Sequence, residues 1–107
     1  MTRRAIKFSR TYRKMRGILF TTVRRWTEQK ESYYRGLRGR TLDVVVEGRP
    51  FPVGRAVLVS LDRCQVKDMA EDFLAYDTDN GRYQLDRAMG ALILTFMWEG
   101  GEVPDNL

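Results

Sequence analysis

The sequence predicts an α+β domain: a small, mostly antiparallel β-structure flanked by two or three helices. Three observations predict it. Gly17–Trp26, GILFTTVRRW, is a short strand pattern rich in β-branched and aromatic residues. Thr41–Val66 holds two long strand patterns joined by a Gly/Pro turn. Helical spacing of apolar residues appears at Lys67–Tyr76 and again at Leu85–Trp98.

The elements follow in chain order. Ala5–Phe8 is a short strand. Ser9 is placed to cap a helix over Arg10–Arg16, with Gly17 in the position that commonly closes one. Leu19–Trp26 is the next strand. Alternation sets Phe20, Thr22, Arg24 and Trp26 on one face, and Thr21, Val23 and Arg25 on the other. Thr27–Gly39 is polar and reads as a loop with a helical turn near Glu28–Tyr34. Arg40–Glu47 is a strand, Gly48-Arg49-Pro50 a turn, and Val53–Val66 a long strand in which Gly54 marks a bulge or bend. Lys67–Tyr76 fits a helix with Met69, Phe73 and Tyr76 on one stripe. Asp77–Gly81 is a loop. Leu85–Trp98 is expected to be helix, from the spacing of Leu85, Met89, Leu92 and Phe96, although ALILTFMW also reads as a buried strand. Glu99–Leu107 is a polar Gly/Pro/Asp tail.

A chain of 107 residues is read as one domain, 1–107, with its core in 4–98. Hydrophobic residues make up 43% and charged residues 31%, the balance of a globular protein. The longest apolar run, Ala91–Trp98, falls far short of the roughly 20 residues of a membrane span. No apolar stretch follows the basic N-terminus as a signal peptide would require, so a cytoplasmic chain is expected. Cys64 is the only cysteine and there is no histidine. A zinc site and a histidine-based nucleophile device are therefore not expected, and neither is a cofactor. Cys64 reads as a strand residue rather than a nucleophile.

Charge is the strongest functional signal. Residues 1–41 carry 13 Lys+Arg against Glu28 and Glu31, a net +11, whereas residues 42–107 carry a net −6. Most of the cations are arginine, whose planar fork suits phosphate and stacks on bases. Phe8, Tyr12, Phe20, Trp26, Tyr33 and Tyr34 are interleaved with them. That mixture fits single-stranded nucleic acid or an unpaired base. The plain alternative is a solvated basic surface. No clean amphipathic helix points to a membrane surface.

Gly17 with Thr22-Val23-Arg24, then Gly54-Arg55-Ala56-Val57-Leu58-Val59 and Val66-Lys67-Asp68-Met69, resemble the ASCH group of the PUA-like superfamily in order and spacing. The resemblance covers roughly residues 4–98. It implies a small PUA-like β-barrel with one nucleotide-sized cleft, lined here by Thr22, Arg24 and Trp26. Arg10, Arg13, Lys14, Arg25, Arg35 and Arg38 are the expected phosphate holders. Some relatives deacylate a modified cytidine with a Lys three residues before the Thr and a distal Glu. The lysine position here is Leu19, and the glutamate position falls near Asp77. Binding of RNA or a modified nucleotide is thus expected, without catalysis. The alternatives are a small hydrolase using Thr22 and Asp77, or a bacterial or phage accessory protein that binds a host protein. With Leu85–Trp98 as helix, no closing strand remains. The open barrel edge would then suit a protein partner or a second copy.

Overall fold

In the computed structural model, residues 4–69, 90–105 and 107 are described. The elements are β1 (Ala5–Phe8), a 3-10 turn (Arg13–Arg16), β2 (Leu19–Arg25), α1 (Glu28–Arg35), β3 (Thr41–Val46), β4 (Gly54–Gln65), a second 3-10 turn (Val66–Asp68), β5 (Gly90–Trp98) and a third (Glu99–Gly101). The five strands form one mixed sheet in the order β1-β3-β4-β5-β2. β1 and β3 run parallel, and the other pairs are antiparallel. The α+β class holds.

The sheet curls on itself without closing. In a flat sheet, strands lie about 4.8 Å apart, which would separate the two edge strands by about 19 Å. Instead the Phe8 and Phe20 ring centroids, one from each edge, are 6.2 Å apart. The inner face holds Ile6, Phe8, Phe20, Leu42, Val44, Val46, Ala56, Leu58, Leu92, Leu94, Phe96 and Trp98, all buried. Burial of each large side chain contributes about 1.5–3 kcal/mol relative to exposure. Trp98 anchors the first 3-10 turn to the sheet, its Nε1–H donating to the Met15 carbonyl at 2.7 Å.

Several expectations change. Gly90–Trp98 is a strand, not the end of a helix; the upstream part of the expected Leu85–Trp98 helix lies outside the described residues. In this interior strand Leu92, Leu94, Phe96 and Trp98 are buried, while Ile93 and Met97 on the partly exposed outer side are apolar too and mask the alternation. The Ser9-capped helix is instead the 3-10 turn Arg13–Arg16, with Tyr12 at its start. Gly17 is extended, at φ −83° and ψ 151°, rather than left-handed. A Cβ there would sit 2.9 Å from the Leu19 carbonyl oxygen, so close backbone approach accounts for the glycine.

Gly54 does not make a bulge either. A Cβ on it would meet Pro104 Cγ at 2.6 Å and Trp98 Cζ3 at 3.0 Å, so it admits the Trp98 ring and the C-terminal segment. That segment is tied to the core, with Val103 and Leu107 packed against it. The bulge lies further along β4, between Leu58 and Ser60. The expected loop after Trp26 contains a true helix, α1, whose Lys30 N–H is capped by Thr27 Oγ1 at 3.0 Å. Of the expected Lys67–Tyr76 helix, Lys67 and Asp68 belong to a 3-10 turn and Met69 is extended. Its remainder lies outside the described residues.

Candidate nucleic-acid interface

The seam between β1 and β2 concentrates the cations and rings. No ladder of backbone hydrogen bonds is seen there; an arginine side chain spans it. Arg24 Nη2 donates to the Lys7 carbonyl at 2.7 Å, while its Nε donates to Thr22 Oγ1 at 3.2 Å. The guanidinium also lies 5.1 Å from the Phe8 ring centroid. Alternation along β2 places Thr22 and Arg24 on the same inward face, and Thr22 is 4% exposed.

Lys14 reaches the same rings from the 3-10 turn. Only 2% exposed, it holds Nζ 5.7 Å from the Phe8 centroid and 5.0 Å from that of Tyr12. Arg10 lies 4.8 Å from the other partner in this row, Tyr12. Tyr12 and Phe8 meet edge-on at 6.3 Å. The result is a continuous row, Arg10–Tyr12–Lys14–Phe8–Arg24. Each cation–ring contact contributes about 0.5–2 kcal/mol, more where water is displaced. The row also gathers positive charge where an anion would be stabilised.

α1 borders the far end of this row. Tyr33 and Tyr34 pack edge-on at 5.2 Å, and the Arg4 guanidinium lies 5.6 Å from the Tyr33 ring. Burial raises the Tyr34 hydroxyl above its ordinary value of 10.0, with Arg24 pulling it down and Tyr33 adding to the rise. Glu28 and Glu31, the two acids of the basic segment, both sit in the first turn of α1.

The bulge in β4 builds a second feature. Before it, Ala56 and Leu58 face the core. After it the phase changes, so that Leu61 pairs with Leu94 and Arg63 with Leu92 on the inner side. Leu92 also pairs with Arg24. Two arginines thus flank one buried leucine at the open end of the sheet. Arg63 lies 3.9 Å from the Trp26 ring centroid, a stacking distance. Trp26 Nε1 is buried and has no hydrogen-bond partner among the described residues. A donor left in that state costs about 1–3 kcal/mol.

Of the residues expected at a site, the structure brings Arg10, Lys14, Thr22 and Arg24 together. Trp26 lies at the Arg63 end, half-buried. Arg13 is exposed on the 3-10 turn. Arg25 is exposed on the opposite face of β2. Arg35 is exposed and pairs with Glu31 at 3.4 Å, and Arg38 is exposed just past α1. Asp77 lies outside the described residues. Sequence reasoning missed Arg63, whose orientation depends on a one-residue bulge that carries no composition signal. It also missed the Lys7 carbonyl as the acceptor for Arg24.

The Thr22 hydroxyl accepts from a guanidinium, which cannot take its proton. The Cys64 thiol is held above its ordinary value of 9.0 by burial, then by Asp68 and Asp62, so it stays protonated near neutrality. Among the described residues no three His, Cys, Asp or Glu side chains gather as a metal ion would need. No described helix is long and apolar enough to cross a membrane. The chain matches no protein-family model, curated protein or solved structure.

Proposed function

We propose that this protein binds nucleic acid, RNA or an unpaired or modified nucleotide, along the β1–β2 seam, and that it is a divergent ASCH-like domain of the PUA-like type. The row Arg10–Tyr12–Lys14–Phe8–Arg24 carries the reading. Arg10 and Arg24 at its two ends offer phosphates charged contacts, the buried Lys14 between them adds to the field, and Arg63 on Trp26 leaves an arginine plane for a base. The order of a short strand, a turn before Gly17, a Thr-x-Arg strand and two longer strands supports the ASCH-like assignment, as does the inward curl of the sheet.

Fluorescence anisotropy with a labelled single-stranded RNA tests the proposal, with a duplex of the same sequence as comparison. Saturable binding is expected at low salt, tighter for the single strand because only it can present a splayed base. An absence of binding at low ionic strength would remove the nucleic-acid reading.

A further inference from the structure

Beside the row, a cavity of about 200 Å³ opens at the 3-10 turn, lined by Thr11, Tyr12, Arg13, Arg16 and Leu107. We infer that this cavity is a subsite for a terminal phosphate monoester, the end of a nucleic-acid strand or a free nucleotide's phosphate. The inference rests on the nucleic-acid reading for its ligand, but on separate residues for its site.

The local geometry makes the pair of arginines. A 3-10 helix has three residues per turn, so side chains at i and i+3 eclipse. Arg13 and Arg16 are such a pair, and both border the cavity. An α-helix over Arg10–Arg16 would have set them about 60° apart around the axis. Trp98 holds the turn in place through the Met15 carbonyl, at 2.7 Å. Met15, between the two arginines, is fully buried. The guanidinium groups are therefore mounted on a fixed base. Thr11 and Tyr12 add hydroxyls, and Tyr12 Oη sits 3.1 Å from Ser9 Oγ, which orients it.

Size selects the ligand class. Pockets for whole small molecules occupy roughly 300–1,000 Å³. A cavity of about 200 Å³ lies below that range and suits a phosphate with part of its sugar, the rest of the ligand extending out of it. A monoester offers three oxygens and about −1.5 to −2 charge at neutral pH, against one charge on an internal diester. Two arginine forks match the monoester better. Tyr12 belongs to both features, because its ring is the first partner in the cation–ring row. A strand with its end phosphate in the cavity would continue past Tyr12 toward Arg24.

The test compares one RNA oligonucleotide in three forms, 5′-phosphate, 3′-phosphate and hydroxyl at both ends, with inorganic pyrophosphate as a ligand free of nucleic acid. One end phosphate is expected to tighten binding roughly tenfold at pH 7.5. That gain should shrink toward pH 5.5, as the monoester loses its second charge. Arg13→Gln with Arg16→Gln should abolish the gain while changing hydroxyl-ended affinity much less. Single Arg16→Gln, with thermal melting as the fold control, covers the case of a double variant that does not fold. Equal affinity for all three ends, or a preference that survives in the variants, overturns the subsite. If RNA fails to bind but pyrophosphate binds the wild type and not the variants, the subsite stands and the nucleic-acid reading falls. If neither ligand binds, both fall.

Discussion

Arg24 does two jobs with one guanidinium, and they can be separated. Its Nη2 closes the β1–β2 seam on the Lys7 carbonyl, and its Nε satisfies the buried Thr22 hydroxyl. Arg24→Ala removes both donors at once. The exposed Lys7 carbonyl can turn to water, but the buried Thr22 hydroxyl left without a partner costs about 1–3 kcal/mol, so a melting temperature lower by roughly 5–15 °C is expected by calorimetry. Arg24→Lys keeps the charge but not the two-point fork, so it should recover RNA affinity more than stability. Equal recovery of both would show that charge alone matters. The need for a partner was legible in the sequence, because an arginine between Val23 and Trp26 in a strand must find an acceptor. The acceptor itself was not, since it lies 17 residues away across a curl that no local pattern encodes. Tyr34 gives a pH signature at the same scale. Its hydroxyl titrates higher in the fold than in the unfolded chain, so its contribution is complete below about pH 10 and is lost as pH rises through the folded value. Tyr34→Phe should therefore flatten the alkaline fall in stability, read as urea midpoints from pH 8 to 11. An unchanged slope would place that titration elsewhere.

Elements whose apolar pattern has a single period were legible, and those with two were not. β3 alternates cleanly, with Leu42, Val44 and Val46 buried, and β1 was placed at its observed bounds. The sequence of β5 suggests helix because Leu92 and Phe96 sit at helical spacing while Ile93 and Met97 fill the slots where a half-exposed strand carries polar residues. Ser9 and Gly17 suggest an α-helix for the first turn, yet its geometry is set by Met15 and Trp98, contacts 83 residues apart. β4 shows the same dependence. Its two halves face the core in opposite phase because of one extra residue near Val59, and Arg63 is aimed at Trp26 as a result. Gly54, at the start of β4, tests how tightly that strand is seated. Gly54→Ala places a methyl into Pro104 and the fully buried Trp98, and overpacking of this kind costs about 1–3 kcal/mol. A clear drop in the urea midpoint with an unchanged m-value is expected. A neutral result would mean that Pro104 yields without disturbing Trp98.

At the scale of the molecule, charge and curl act together. Residues 1–41 carry a net +11 and residues 42–107 a net −6, so the chain is polar in charge along its length. The fold does not disperse this asymmetry. β1, the 3-10 turn, β2 and α1 all come from the basic segment and all border the seam, whereas β4 and β5 form the middle of the sheet's far side. A field of one sign over a narrow seam attracts polyanions and releases their counterions on binding. Arg10 and Arg24 on the row, Arg13 and Arg16 at the cavity, and Arg4 beside Tyr33 offer an end-phosphorylated strand about five phosphate contacts, with the buried Lys14 adding to the field. On single strands each contact contributes about −0.7 to the slope of log K against log salt. A slope near −3.5 is therefore expected between 50 and 200 mM salt, roughly a 130-fold loss of affinity. Removing one row cation, as in Arg10→Gln, should make that slope shallower by about 0.7, whatever the base sequence. Arg25→Gln, on the opposite face of β2, should leave it unchanged. A slope that is flat, or that falls as much for Arg25 as for Arg10, would mean that any polyanion binding is spread over the surface rather than held by the seam.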